Sequence, residues 1–117
     1  MKLNIVEDAN GVTRLILAGT MDIEGAMAVD KEFGEIAASR KKLAVDLSDV
    51  DFLASLGMRT LVFNAKAVMK NGGRMVLFGA QPGVEQALRT SGIDTIIPLA
   101  SDFKSAVELV GYADAKR

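Results

Sequence analysis

After an opening hairpin, short apolar runs of strand length alternate with stretches whose apolar residues recur every three or four positions. That alternation restricts the chain to a sheet with helices packed on it. Leu3, Ile5 and Val6 open a first strand, the turn Asp8-Ala9-Asn10-Gly11 closes it, and Val12 to Ala18 reads as a second, mostly buried strand. Gly19-Thr20-Met21-Asp22 breaks the run. From Ile23 to about Ala38, Ala26, Val29, Phe33, Ile36 and Ala37 fall at helical spacing with charges on the other face. The basic Ser39-Arg40-Lys41-Lys42 suits the negative end of that helix dipole.

Leu43 to Leu47 then reads as a buried third strand ending in acidic turn residues, and Met58, Leu61, Val62, Ala65, Val68 and Met69 give the cleanest helical stripe. Asn71-Gly72-Gly73 stops that helix, because these residues tolerate positive φ. Arg74 to Phe78 is a fourth strand, and Gly79-Ala80-Gln81-Pro82-Gly83 leads into a helix with Val84, Ala87 and Leu88 inward. Ser91-Gly92 ends it, Thr95 to Leu99 offers a last strand, and Phe103, Ala106, Val107 and Val110 place a terminal helix on the same core. The expected fold is α/β in the order β-β-α-β-α-β-α-β-α. An antiparallel hairpin begins a mixed, otherwise largely parallel sheet of about five strands with about four helices. Residues 1–112 read as one domain and 113–117 as a polar tail.

The chain has neither cysteine nor histidine, which excludes disulfides, thiolate metal sites, cysteine nucleophiles and every Ser-His-Asp arrangement. With a net charge of −1 and no basic tract, a nucleic-acid footprint is absent. No apolar run is long enough to span a bilayer, and MKLNIVED is not a signal peptide, so a cytoplasmic protein is expected. No phosphate-binding or dinucleotide-binding glycine pattern is present. A binding protein without catalytic residues, cofactor or metal is the expectation.

One stretch carries the chemistry: Asp46 to Val62, with Ser55 at the expected start of the second helix. As an N-cap, Ser55 would accept a bond from a first-turn amide, worth about 1 kcal/mol. As a phosphoacceptor it would sit where a helix offers roughly half a positive charge and free N–H donors, a place that tolerates the −1.5 to −2 charges (about) of a phosphate. Both readings stay open on spacing alone. Asp46, Asp49 and Asp51, with Asp22 and Glu24, are turn and cap residues or, in a third reading, the carboxylates of a small metal-dependent enzyme. Asp22 is expected to face Ser55, Met21 to lie near the same surface, and Leu56 to be either a core residue or an exposed anchor.

These residues resemble the STAS domain family of anti-sigma factor antagonists (anti-anti-sigma factors) of bacterial partner switching. Leu17-Ala18-Gly19-Thr20-Met21-Asp22 is similar to the family's Leu-x-Gly-x-Leu/Met-Asp segment. Asp46 to Met58 is similar to its serine-bearing segment, and Asn71-Gly72-Gly73 and Ser91-Gly92-Ile93 also agree. The resemblance implies that Ser55 is the serine phosphorylated by a kinase-type anti-sigma factor. It also implies that Met21, Asp22, Ala54, Ser55, Leu56, Gly57 and Arg59 form the partner-binding surface. The unphosphorylated form would bind the anti-sigma factor, phosphorylation would release it, and a serine phosphatase would restore it. Ala54 and Leu56 depart from the family's acid before and hydroxyl residue after the serine. A non-switching scaffold subunit of a stress-sensing or transport complex is the alternative.

Overall fold

The computed structural model describes residues 1–8 and 10–115, the last four by their backbone alone. Its elements are β1 (Lys2–Glu7), β2 (Thr13–Met21), α1 (Ile23–Ser39), β3 (Lys42–Leu53), α2 (Ser55–Lys70), β4 (Arg74–Phe78), α3 (Pro82–Thr90), a 3-10 turn at Ile93–Thr95, β5 (Leu99–Ala100) and α4 (Phe103–Ala115). The five strands lie in the order β1-β2-β3-β4-β5, with β1 antiparallel to β2 and every later pair parallel. This is the α/β architecture expected. Ala9 of the hairpin turn and Lys116 and Arg117 of the expected tail lie outside the described residues.

Each parallel crossover steps to the next strand in the same direction, so right-handed connections put α1, α2 and α3 on one face. The packing agrees: Leu43, Val45, Leu47, Met75 and Leu77 join Val29, Phe33, Leu61, Val68, Val84 and Leu88 in one core cluster. The expectation that the terminal helix shares this core is corrected, because α4 follows the last strand and covers the other face. Ala106 and Val110 there meet Val12, Ala44, Val76 and Phe78. Covered on both sides, residues 43–47 of β3 and 75–78 of β4 are buried without alternation, with Asp46 the one polar side chain among them.

Three boundaries differ from the sequence expectation. Both β2 and β3 run past the predicted breaks, to Met21 and Leu53. Register slips between Ile16 and Ala18 and between Gly19 and Thr20 each give β3 one extra residue. These bulges change the burial period from two to three, so Leu47, Val50 and Leu53 are buried while Ser48, Asp49, Asp51 and Phe52 are exposed. What read as an acidic turn is therefore bulged strand. At the other edge, Pro98 has no N–H for a ladder, and β5 begins only at Leu99. The second helix ends as expected: Gly72 takes φ 82, and the N–H groups of Gly72 and Gly73 donate to the carbonyls of Met69 and Val68.

The helical stripe of α2 is rotated from the one expected. Thr60 and Asn64 are buried along with Gly57, Leu61, Ala65 and Val68, whereas Met69 is 51% exposed. On α1 the face expected to be charged also carries exposed Ile23 and Met27.

Candidate functional site

β2 and β3 run parallel to a common edge, where Met21 and Leu53 are register partners. The Ala54 N–H donates to the Met21 carbonyl oxygen at 3.0 Å, and the two strands then turn into α1 and α2. Two helix N-termini thus open at the carboxyl edge of neighbouring strands, where open α/β sheets form their crevices. In each helix the third residue is glycine, and in each a β2 carbonyl requires it. A Cβ on Gly25 would run into the Thr20 carbonyl oxygen. A Cβ on Gly57 would meet the Met21 carbonyl oxygen, the Met21 Cγ and the Leu53 Cδ1, all at 2.8 Å.

The caps differ. Asp22 has φ −87° and ψ −166°, and its Oδ1 accepts the Gly25 N–H at 2.8 Å. Ala54 has nearly the same backbone, φ −89° and ψ 171°, but a methyl group in place of the acceptor. The Met58 N–H donates to the Ala54 carbonyl, so Ser55 is already the first helical residue and not the N-cap. The N-cap reading of Ser55 is corrected on that ground. Its side chain is exposed and, among the described residues, makes no hydrogen bond. No acid lies in the first turn of α2, whereas Glu24 lies in that of α1. The amides and positive end of α2 are left without a side-chain acceptor, next to a free hydroxyl.

The residues expected around Ser55 divide by burial. Met21 and Gly57 are buried beneath the helix start, Ala54 and Leu56 are half-buried, and Arg59 is exposed. Met21 therefore supports this surface from below, because its place in the last β2 pair points it into the core. Leu56 packs against the core cluster and, with Ala26, Met27, Asp30 and Thr60, lines a recess of about 150 Å³. Asp22 caps its own helix and lines a separate depression with Met1, Thr20, Glu24, Gly25 and Ala28. The two loops do share an edge, but among the described residues no hydrogen bond joins Asp22 to Ser55. Sequence reasoning missed Ile23 and Met27, 62% and 68% exposed one helical turn apart. Their spacing, off the Ala26–Val29–Phe33 stripe, carried the signal.

The remaining acids do not converge on Ser55. Asp46 is buried on the α4 side, where its Oδ2 accepts from Arg14 Nη2 at 2.6 Å and Nε at 3.2 Å. Its Oδ1 accepts from the Ser48 hydroxyl and amide at 2.7 and 2.9 Å. Burial pushes the Asp46 carboxyl upward, but the Ser48 and Arg14 bonds outweigh it and hold the group below its ordinary value. The Arg14 guanidinium lies over the Phe78 and Phe103 rings, tying β2 to α4. Asp51 accepts from the Thr20 hydroxyl at 2.8 Å. Among the described residues no group of three or more acids could hold a metal ion, and no helix is long and apolar enough to cross a membrane.

The model of the STAS domain family matches residues 5–106. Anti-sigma-F factor antagonist RsfB of Mycobacterium tuberculosis (strain H37Rv) is 32% identical over 106 residues, covering 87% of this chain and 84% of the relative. Among solved structures, an anti-sigma factor antagonist from Mycobacterium paratuberculosis superposes with a TM-score of 0.81 at 27% identity, covering 93% of this chain and 94% of that one. An anti-sigma-factor antagonist (STAS) domain protein from Planctomyces limnophilus gives a TM-score of 0.80 at 18% identity, over 92% and 96% of the two chains, and at that identity shows the fold alone.

Proposed function

The chain belongs to the STAS domain family, and from that premise we propose that it is an anti-sigma factor antagonist gated at Ser55. In this reading the unphosphorylated protein binds a kinase-type anti-sigma factor, phosphorylation of Ser55 releases it, and a serine phosphatase reverses the modification. Relatives named as anti-sigma factor antagonists support the role. The observation that carries the gate is an exposed, unbonded hydroxyl as first residue of a helix without a side-chain cap.

The chemistry is electrostatic. The bare α2 N-terminus accepts a phosphate without unfolding. Toward α1 that surface carries exposed Ile23 and Met27 and half-buried Leu56, and Ser55 itself is neutral. A partner packed there would have to desolvate the new dianion, and each 1.4 kcal/mol of that cost, about, is tenfold in affinity. Calorimetric titration with the anti-sigma factors of the source organism tests the reading. Ser55→Ala should bind like the native chain, and Ser55→Asp should bind at least tenfold more weakly. Equal affinities for both variants would sink the gate.

The alternative, a scaffold that does not switch, draws on Ala54 and Leu56, where this chain departs from the family pattern. Intact-mass measurement on protein from its native host separates the two, since a phosphate mapped to Ser55 contradicts the scaffold.

A further inference from the structure

A second stripe on α2 runs away from Ser55. Ser55, Met58, Arg59, Val62, Phe63 and Lys66 recur at i, i+3, i+4, i+7, i+8 and i+11, so they share one face of the helix. Together with Ser91, Ile93 and Ile96 they line an open groove of about 540 Å³. Met58 reaches the far wall, where its sulfur lies 3.0 Å from the Ser91 hydroxyl oxygen, itself 2.6 Å from the Ala87 carbonyl oxygen. From Ser55 to Lys66 the groove is about 16 Å long at the helical rise of 1.5 Å per residue, room for two to three turns of a partner helix.

Its chemistry is one-sided. Phe63 is 70% exposed and Ile96 41%, large apolar groups with no cover in the folded chain. Arg59 and Lys66, two turns apart, are exposed, and among the described residues neither makes an ion pair. Among the described residues no carboxylate lines the groove. An occupant that satisfies both features has apolar anchors for Phe63, Val62 and Ile96 and acidic residues facing the two cations.

We propose that this groove docks an acidic amphipathic segment of the protein partner, as a second contact continuous with the Ser55 end of α2. The inference rests on the Ser55 reading for the identity of that partner and extends its mechanism. A phosphate on Ser55 stands at the groove's mouth, where its charge repels the acidic segment and competes with it for Arg59. One modification thereby weakens both contacts.

The experiment titrates the anti-sigma factor whose binding is lost in Ser55→Asp against Phe63→Ala, Lys66→Glu and the control Lys31→Glu, at low and high salt. Lys31 is exposed on α1, outside the groove. Phe63→Ala and Lys66→Glu should each weaken binding at least tenfold, Lys66→Glu with a shallower salt dependence, while Lys31→Glu binds like the native chain. Because all three side chains are exposed, the variants should keep the native circular dichroism spectrum. Native-like affinity of Phe63→Ala and Lys66→Glu, with Ser55→Asp still deficient, overturns the groove and leaves the Ser55 gate standing. If no anti-sigma factor distinguishes Ser55→Asp from the native chain, the gate fails and the groove with it. A dimer of the chain alone that Phe63→Ala abolishes, seen by sedimentation, assigns the groove to a second copy and also overturns the proposal.

Discussion

The starts of α1 and α2 are two solutions to the same geometry. Both helices leave the carboxyl edge of neighbouring parallel strands, both have an extended residue before the first turn, and both place glycine third, against a β2 carbonyl. They differ at the cap and in the first turn, where α1 also carries Glu24 and α2 has no acid. Asp22 puts a carboxylate on the α1 amides, whereas Ala54 leaves those of α2 open. A helix start closed by its own acid offers nothing to an incoming anion. The open one offers donors and a partial positive charge beside an exposed hydroxyl. Backbone geometry makes the two helix starts alike, and the cap and first-turn residues give them different charge.

The glycines are the strongest way to break this parallel. Gly25→Ala drives a methyl into the Thr20 carbonyl, a backbone atom held in the β2–β3 ladder, and should cost about 3 kcal/mol or more. Gly57→Ala meets a carbonyl at 2.8 Å together with the flexible ends of Met21 and Leu53, so about 1–3 kcal/mol is expected. Urea unfolding midpoints should therefore fall in the order native, Gly57→Ala, Gly25→Ala. A reversed order would mean that the two helix starts are not held alike.

The caps sharpen it further. Asp22→Ala should lose about 1 kcal/mol, the ordinary worth of an N-cap. Ala54→Asp should gain a similar amount, about 0.5–1 kcal/mol, because its φ and ψ nearly match those of Asp22. The same substitution sets a like charge beside any phosphate on Ser55, so the variant should be more stable and a poorer phosphoacceptor. Thermal melts and an in vitro kinase assay read the two effects separately. A stable Ala54→Asp chain that is phosphorylated as well as the native one would show that the open α2 terminus plays no part in accepting the group.

The alternation of strands and helices was legible because each element buries a face with its own period, and the parallel order followed from the crossovers. The rest was hidden for specific reasons. Two bulges turned the end of β3 from period two to period three, so Asp49 and Asp51 read as a turn. Asp46 looked like a neighbour of Ser55, yet it lies on the other side of the sheet with Arg14, a partner 32 residues away. The α1 residues Ile23 and Met27 were masked because helical spacing identifies the buried stripe first and leaves exposed apolar residues uncounted. The place of Ser55 at the start of the second helix was legible from sequence. Its rank within the helix was not, since cap and first residue differ by one peptide and only the hydrogen bond from Met58 to Ala54 distinguishes them.

That one-residue difference sets the smallest effect. If Ser55 were the cap, Ser55→Ala would cost about 1 kcal/mol. As the first helical residue with an unbonded hydroxyl, it contributes no such bond, and alanine is the better helix former by a few tenths of a kcal/mol, about. Ser55→Ala should therefore melt within about 0.5 kcal/mol of the native chain, on the stable side, while losing every response to the kinase. The pairing matters more than either result alone. A near-neutral Ser55→Ala would agree with the proposed modification as the role of this hydroxyl, whereas a measured loss of about 1 kcal/mol would return Ser55 to the role that Asp22 plays next door.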